Sequence, residues 1–165
     1  MPKLLKNLPV ILIFFTVGTF GATNPNFSGT YAAQQKSSGK SIMLRVVQSD
    51  SAVEVTRISG DKPSTNRFPL DGSEGEYKTE SGVRGKCKGH VKNQTLVLES
   101  LVAPPARAGS PSIRFHTIEE WQLSRDGNTL TIKTEIQSPD MPPDIMSAAI
   151  PNNPMKEKYQ RTDKP

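Results

Sequence analysis

Glu119 is the strand carboxylate that residue alternation places among apolar neighbours, with Phe115, Trp121 and Leu123 on the same side of its strand. Burying an unpaired carboxylate is costly, so Glu119 must meet a cation, a hydrogen-bond donor, water or a ligand. Two arrangements satisfy that demand. One is structural: a bulge turns Glu119 outward, or an inward arginine such as Arg57 pairs with it. In the other, Glu119 is the polar anchor of a ligand-binding interior, which makes Phe115, Glu119 and Trp121 the candidate ligand-binding residues. The same two aromatics also serve as ordinary core.

Other chemistries lack the residues or the geometry. Cys87 as a nucleophile needs a basic partner, and its neighbour His90 falls on the opposite face of the strand. His90 and His116 face outward on different strands while Cys87 faces inward, so the three do not converge on a metal. No Gly-x-Ser-x-Gly elbow and no glycine-rich phosphate loop occurs in the chain. Catalytic residues, metal ligands and cofactors are therefore not expected. Hydrolase or isomerase chemistry around Glu119 is the residual enzymatic reading.

Outward positions carry a second candidate feature. Arg84, Lys86, Lys88 and Lys92, with His90, line one strand face, a ladder about 27 Å long at roughly 3.3 Å per residue. It fits an anionic envelope surface, a polysaccharide or a nucleic acid, or it is a solvated face balanced by Glu99 and other acids on neighbouring strands. The segment from Met141 to Met155 combines Met141, Ile145, Met146, Ile150 and Met155 with prolines. It reads as a lid, a partner-binding loop, or a connection that packs on the main body.

These residues are positioned by strands. From Phe27 onward apolar residues recur with period two, the mark of half-buried β-strands. Strands are expected at Phe27–Ala33, Ile42–Val47, Ala52–Ser59, a short piece at Phe68–Leu70, a return from Tyr77, Val83–Lys92, Thr95–Leu101, Ile113–Ser124, Thr129–Gln137 and Glu157–Thr162. Lys36-Ser37-Ser38-Gly39-Lys40 reads as a turn, Gly60-Asp61-Lys62-Pro63 as a strand break, and Asn93-Gln94 and Asp126-Gly127 as tight hairpins. Gly85 and Gly89 on an inward face point to crowding or strong bending. Pro142-Pro143-Asp144 opens one or two helical turns through Ala149. Eight or nine strands joined by short turns predict an all-β fold, an antiparallel up-and-down β-barrel or a β-sandwich.

The N-terminus sets the expected location. Lys3 and Lys6 precede the apolar run Leu8–Phe20, which is followed by small residues near Gly21 and Ala22. Residues 1–22 thus read as a cleaved signal peptide and 23–165 as a single domain, secreted or periplasmic. The apolar run is shorter than the roughly 20 residues of a spanning helix, so no transmembrane segment is expected in the mature chain. Without Lys3 and Lys6, 19 Lys and Arg stand against 16 Asp and Glu. That mild excess, without aromatics interleaved among dense basic clusters, does not describe a specific nucleic-acid binder. A lone cysteine excludes an internal disulfide and is expected to be buried. Asn26-Phe27-Ser28 and Asn93-Gln94-Thr95 match the glycosylation acceptor pattern.

The run Phe27-Ser28-Gly29-Thr30-Tyr31 resembles the Gly-x-Trp first strand of lipocalin-like barrels, with Tyr31 in place of tryptophan. The layout including Glu120–Thr131 and Lys158-Tyr159-Gln160-Arg161 is also similar to uncharacterised small exported β-barrel proteins of bacteria. The lipocalin resemblance implies that Arg161 packs over Tyr31 at the closed end of the barrel, a cation–π contact of about 0.5–2 kcal/mol. It also implies non-enzymatic binding of a small apolar or amphipathic ligand in the interior, where residue alternation puts Phe115, Glu119 and Trp121. The alternative is a cell-envelope interaction protein that uses the basic face 84–92 or the Met-rich segment 141–155. The sequence leaves the oligomeric state open.

Overall fold

The computed structural model describes residues 24–34, 42–106, 112–150 and 152–163. The expected signal peptide and the turn at Lys36–Lys40 lie outside these residues. The period-two alternation folds as ten strands: β1 (Gly29–Ala33), β2 (Ile42–Gln48), β3 (Ala52–Ser59), β4 (Lys62–Pro69), β5 (Gly75–Lys78), β6 (Arg84–Lys92), β7 (Thr95–Val102), β8 (Phe115–Leu123), β9 (Thr129–Gln137) and β10 (Met155–Arg161). A single helix, α1 (Pro143–Ala149), starts at the expected Pro-Pro-Asp and buries none of its residues.

All ten strands form one antiparallel sheet in the order β4-β3-β2-β1-β10-β9-β8-β7-β6-β5. The first and last strands of the chain pair with each other, Tyr31 opposite Arg161 and Ala33 opposite Tyr159. The sheet therefore curls into a nearly closed up-and-down barrel, and the sandwich alternative is set aside. The expected eight or nine strands become ten because both short pieces, Phe68–Leu70 and the return from Tyr77, belong to full strands, and β4 extends back to Lys62, where a break was expected. Pro63 is tolerated because β4 is an edge strand: it has a ladder to β3 on one side only, so the missing N–H disrupts no second ladder.

The remaining opening lies between β4 and β5, and side chains bridge it. Asn66 Nδ2 donates to the Lys78 carbonyl (3.0 Å), and the Lys78 N–H donates to Asn66 Oδ1 (2.7 Å). Cys87 Sγ lies 3.2 Å from the Arg67 carbonyl and 3.4 Å from that of Glu76, reaching both edges from β6.

Strand direction alternates, so the connections sort to two ends. Short turns gather at one end: Ser49–Ser51, Asn93-Gln94, with both residues at positive φ, and Ser124–Asn128. The other end carries the tight Gly60-Asp61 turn between β3 and β4 and the longer connections, including α1. Apolar inward side chains fill the short-turn end, where Phe27, Tyr31, Leu44, Leu96, Trp121 and Leu130 are fully buried. Each large side chain of this kind contributes about 2–3 kcal/mol through burial.

The expected Tyr31–Arg161 contact closes this end. The guanidinium carbon lies 5.1 Å from the Tyr31 ring centroid, and Nη2 donates to the Tyr31 hydroxyl (2.5 Å) and the Ser28 carbonyl (2.9 Å). Gly29 is required here, because a Cβ would sit 3.1 Å from that guanidinium carbon and the backbone has φ 153°. The inward crowding expected at the β6 glycines is also present. A Cβ on Gly85 would come within 2.2 Å of the Leu101 carbonyl oxygen.

Candidate functional site

Phe115, Glu119 and Trp121 alternate along β8, and all three project into the barrel at different depths. Trp121 is fully buried among the core side chains. Glu119 lies nearer the long-loop end and meets Arg57, whose Nη2 donates to both carboxylate oxygens at 2.7 and 2.6 Å. Trp121 Nε1 donates to Glu119 Oε2 (2.9 Å), and the Arg57 guanidinium lies 5.9 Å from the Trp121 ring centroid. Phe115, at the beginning of β8, sits half-buried at the mouth.

The Arg57–Glu119 pair has an architectural consequence. In the strand order, five steps separate β3 from β8 through β2, β1, β10 and β9, and as many separate them through β4 to β7. Arg57 and Glu119 thus leave opposite walls and meet across the lumen. Below this crossbar the interior is packed core.

Above it, the inward side chains are only partly buried, and they outline a cup at the long-loop end. Near the crossbar its lining is polar: Ser64 is opposite Arg57 in the ladder, Thr134 is opposite Glu119, and Thr117 is opposite Ser100. Farther out, Ile42, Tyr77, Val102, Phe115 and Ile136 supply an apolar rim. A cavity of about 640 Å³ opens beside this mouth, lined by Ser59, Ser64, Lys78 and Thr79 among others, over the β4–β5 gap.

Electrostatics keep the cup's aromatics neutral and its arginine charged. Burial is the largest single effect and would lower the Arg57 pKa, but Glu119, Tyr77 and Tyr159 together reverse it and the net direction is upward. Burial raises the Tyr77 pKa. Tyr159, which donates to Glu157 (2.8 Å), is raised by burial first and by that carboxylate second.

Cys87 is buried as expected, and burial pushes its thiol up to about 11, away from nucleophilic chemistry at neutral pH. His90 is exposed on the outer face of β6, while His116 on the outer face of β8 contacts Glu99 at 3.1 Å.

The basic face is partly neutralised. Lys86 pairs with Glu74 (2.6 Å), and Lys88 approaches Glu99 at 3.8 Å. Around them runs an outer groove of about 530 Å³ whose far wall includes Arg114, itself paired with Asp140 (2.7 Å). In the Met-rich segment Ile145 is half exposed and Met155 somewhat less so. Asn66 and Ser100 are the buried polar residues among those described, and the sequence does not single them out. Parity with Phe68 was the available signal for Asn66.

The fold is a nearly closed, antiparallel up-and-down β-barrel of ten strands, its interior packed at one end and only partly filled at the other. No family model matches the sequence, and no curated protein matches it. Solved structures do match in shape. The structure described as "REP1-NXSQ fatty acid transporter" superposes with a TM-score of 0.56 at 10% identity, covering 84% of this chain and 97% of its own. Fatty-acid-binding protein 1 of Echinococcus granulosus gives a TM-score of 0.57 at 13% identity, covering 83% and 98%. At such identities the likeness establishes the fold.

Proposed function

We propose that the protein is a non-enzymatic carrier that binds a small apolar or amphipathic ligand in the cup above Arg57 and Glu119. One observation carries this reading: the inward side chains of the long-loop half stay accessible around a polar floor, whereas those of the other half are packed shut. A ligand site of this type is concave and largely apolar, with a few fixed polar groups, and Phe115, Glu119 and Trp121 contribute its rim, floor and underlayer. Neighbours of the same fold are described as a fatty acid transporter and a fatty-acid-binding protein, which supports the reading. Export to a secreted or periplasmic location belongs to the same proposal, supported by the pattern of residues 1–22.

Trp121 is the only tryptophan, so its fluorescence reports directly on the floor. Titration with a panel of alcohols, esters and acids of lipid chain length should shift or quench it saturably, and Thr134→Trp, by filling the cup, should abolish ligand uptake measured by calorimetry. A panel in which no lipid gives a saturable response overturns the reading.

The envelope-interaction alternative rests on the outer groove and the cations Arg84 and Lys92, which have no ion-pair partner among the described residues. Reversing Arg84, Lys86, Lys88 and Lys92 together to glutamate should abolish salt-sensitive binding to envelope fractions if that reading holds; retained binding refutes it.

A further inference from the structure

We infer that the cup takes its ligand head-inward and that the head is an uncharged oxygen acceptor, a hydroxyl, ester or amide, rather than a carboxylate. This rests on the ligand reading above and adds the chemistry and direction of the bound molecule.

Direction follows from the gradient inside the barrel. Polar groups, Arg57, Glu119, Ser64, Thr117 and Thr134, surround the floor, while Ile42, Val102, Phe115 and Ile136 stand at the rim. An amphipath inserted tail-first would set its chain against an ion pair and its head against the apolar rim. Inserted head-first, it matches both zones.

Charge follows from what faces the floor on each wall. Arg57 comes from β3 and Glu119 from β8, while β10 adds Glu157, on the same face as Tyr159 and hydrogen-bonded to it. Tyr77 from β5 and Tyr159 are uncharged at neutral pH, with both pKa values raised by burial. Lys62 shares the face of Ser64 only at the exposed tip of the β3–β4 hairpin.

At the floor, the guanidinium therefore faces a carboxylate already bound to it, and a second, exposed carboxylate, Glu157, lies beyond the Tyr159 hydroxyl. A ligand carboxylate would share Arg57 with Glu119 at close range, where like charges repel strongly. Hydrogen-bond donors nevertheless remain. Arg57 engages Glu119 through Nη2 alone, and its Nη1 and Nε have no partner among the described residues. Together with the hydroxyls of Thr117, Thr134 and Ser64, these groups suit a neutral acceptor.

The test uses cis-parinaric acid and its methyl ester, which share one fluorescent chain and differ in head charge. The full mature protein should bind the ester about tenfold or more tighter than the acid at neutral pH, a difference of about 1.4 kcal/mol. Glu119→Gln should narrow that ratio to within about threefold by freeing the Arg57 charge. Glu157→Gln, at an exposed position that does not threaten folding, should narrow it in the same direction.

Acid binding equal to or tighter than ester binding overturns the head-group inference and leaves the cup reading intact. Binding of neither probe overturns both. An ester preference unchanged in both variants removes the assignment of selectivity to these carboxylates. For direction, an ester brominated beside its carbonyl should quench Trp121 more than one brominated at the chain end; the opposite order overturns head-inward binding.

Discussion

Arg57 and Glu119 are close to buried, with side-chain exposures of 24% and 15%, so removing one strands the other in a poorly solvated lumen. Arg57→Met should destabilise the fold by about 2–3 kcal/mol, toward the low end for a broken buried pair because some water reaches it. The double replacement Arg57→Met with Glu119→Leu should recover most of that loss. Urea unfolding of the single and double variants measures both, and a double variant as unstable as the single would mean that the crossbar is not an isolated pair. Cys87 obeys a related rule: its raised pKa leaves almost no thiolate at neutral pH, so the native protein should not react with a thiol-specific disulfide reagent until it unfolds. Rapid labelling of native protein would contradict the buried placement.

The strands are completed by side chains acting as substitute backbone. Asn66 joins β4 to β5 through Lys78, and Asn153 does the same for β9, accepting from the Ile136 N–H (2.9 Å) and donating to its carbonyl (2.6 Å). Asn66→Leu should therefore accelerate amide exchange at Lys78 by an amount equivalent to about 1–2 kcal/mol of local opening, with little change at strands far from the gap. Unchanged protection of the Lys78 amide would show that the gap is held by other contacts.

Loops are tied by carboxylates. Asp140 receives bonds from the Arg114 backbone and side chain, which hold its pKa at about 2, and Asp126 is held at about 2 by Ser124 and Asn128 within the β8–β9 hairpin. A folded-state pKa below the unfolded value contributes stability that is present above the ordinary value of 3.8 and disappears as pH falls toward 2. Asp140→Asn and Asp126→Asn should each flatten the acid side of the stability–pH profile. Profiles superimposable on that of the unmodified protein would count against these ties.

For the molecule as a whole, closure depends on β1 meeting β10, and the meeting point is the Gly29–Tyr31–Arg161 cluster. Arg161 is held there by the Ser28 carbonyl and the Tyr31 hydroxyl, so it cannot swing aside freely to admit a side chain at position 29. Gly29→Ala combines that collision with an unfavourable backbone φ and should cost about 1–3 kcal/mol, read as a lowered thermal midpoint. An unchanged midpoint would indicate that the seam tolerates displacement of Arg161. Closure also gives the molecule unequal ends: the seam and core occupy one, and the cup and longer connections occupy the other.

Several of these features are determined by the sequence itself. Period-two alternation assigns each side chain to a wall face, because successive residues on a strand point to opposite sides. That rule alone puts Glu119 with Trp121, makes an inward arginine such as Arg57 one of its candidate partners, and buries Cys87 away from His90. Hairpin chemistry at Asn93-Gln94 and Asp126-Gly127 marks two turns on local backbone grounds. The rule fails at Lys62–Arg67, where a polar edge strand shows no apolar alternation until Phe68, so alternation marks only the end of β4 and not its beginning.

Tertiary structure alone decided the rest. Parity states that Arg57 and Glu119 face inward, but only the closing of β1 on β10 places their strands on opposite walls and turns an ion pair into a crossbar. Depth along the lumen likewise depends on stagger between strands distant in sequence, so the separation of a packed core from an accessible cup arises only when the barrel closes.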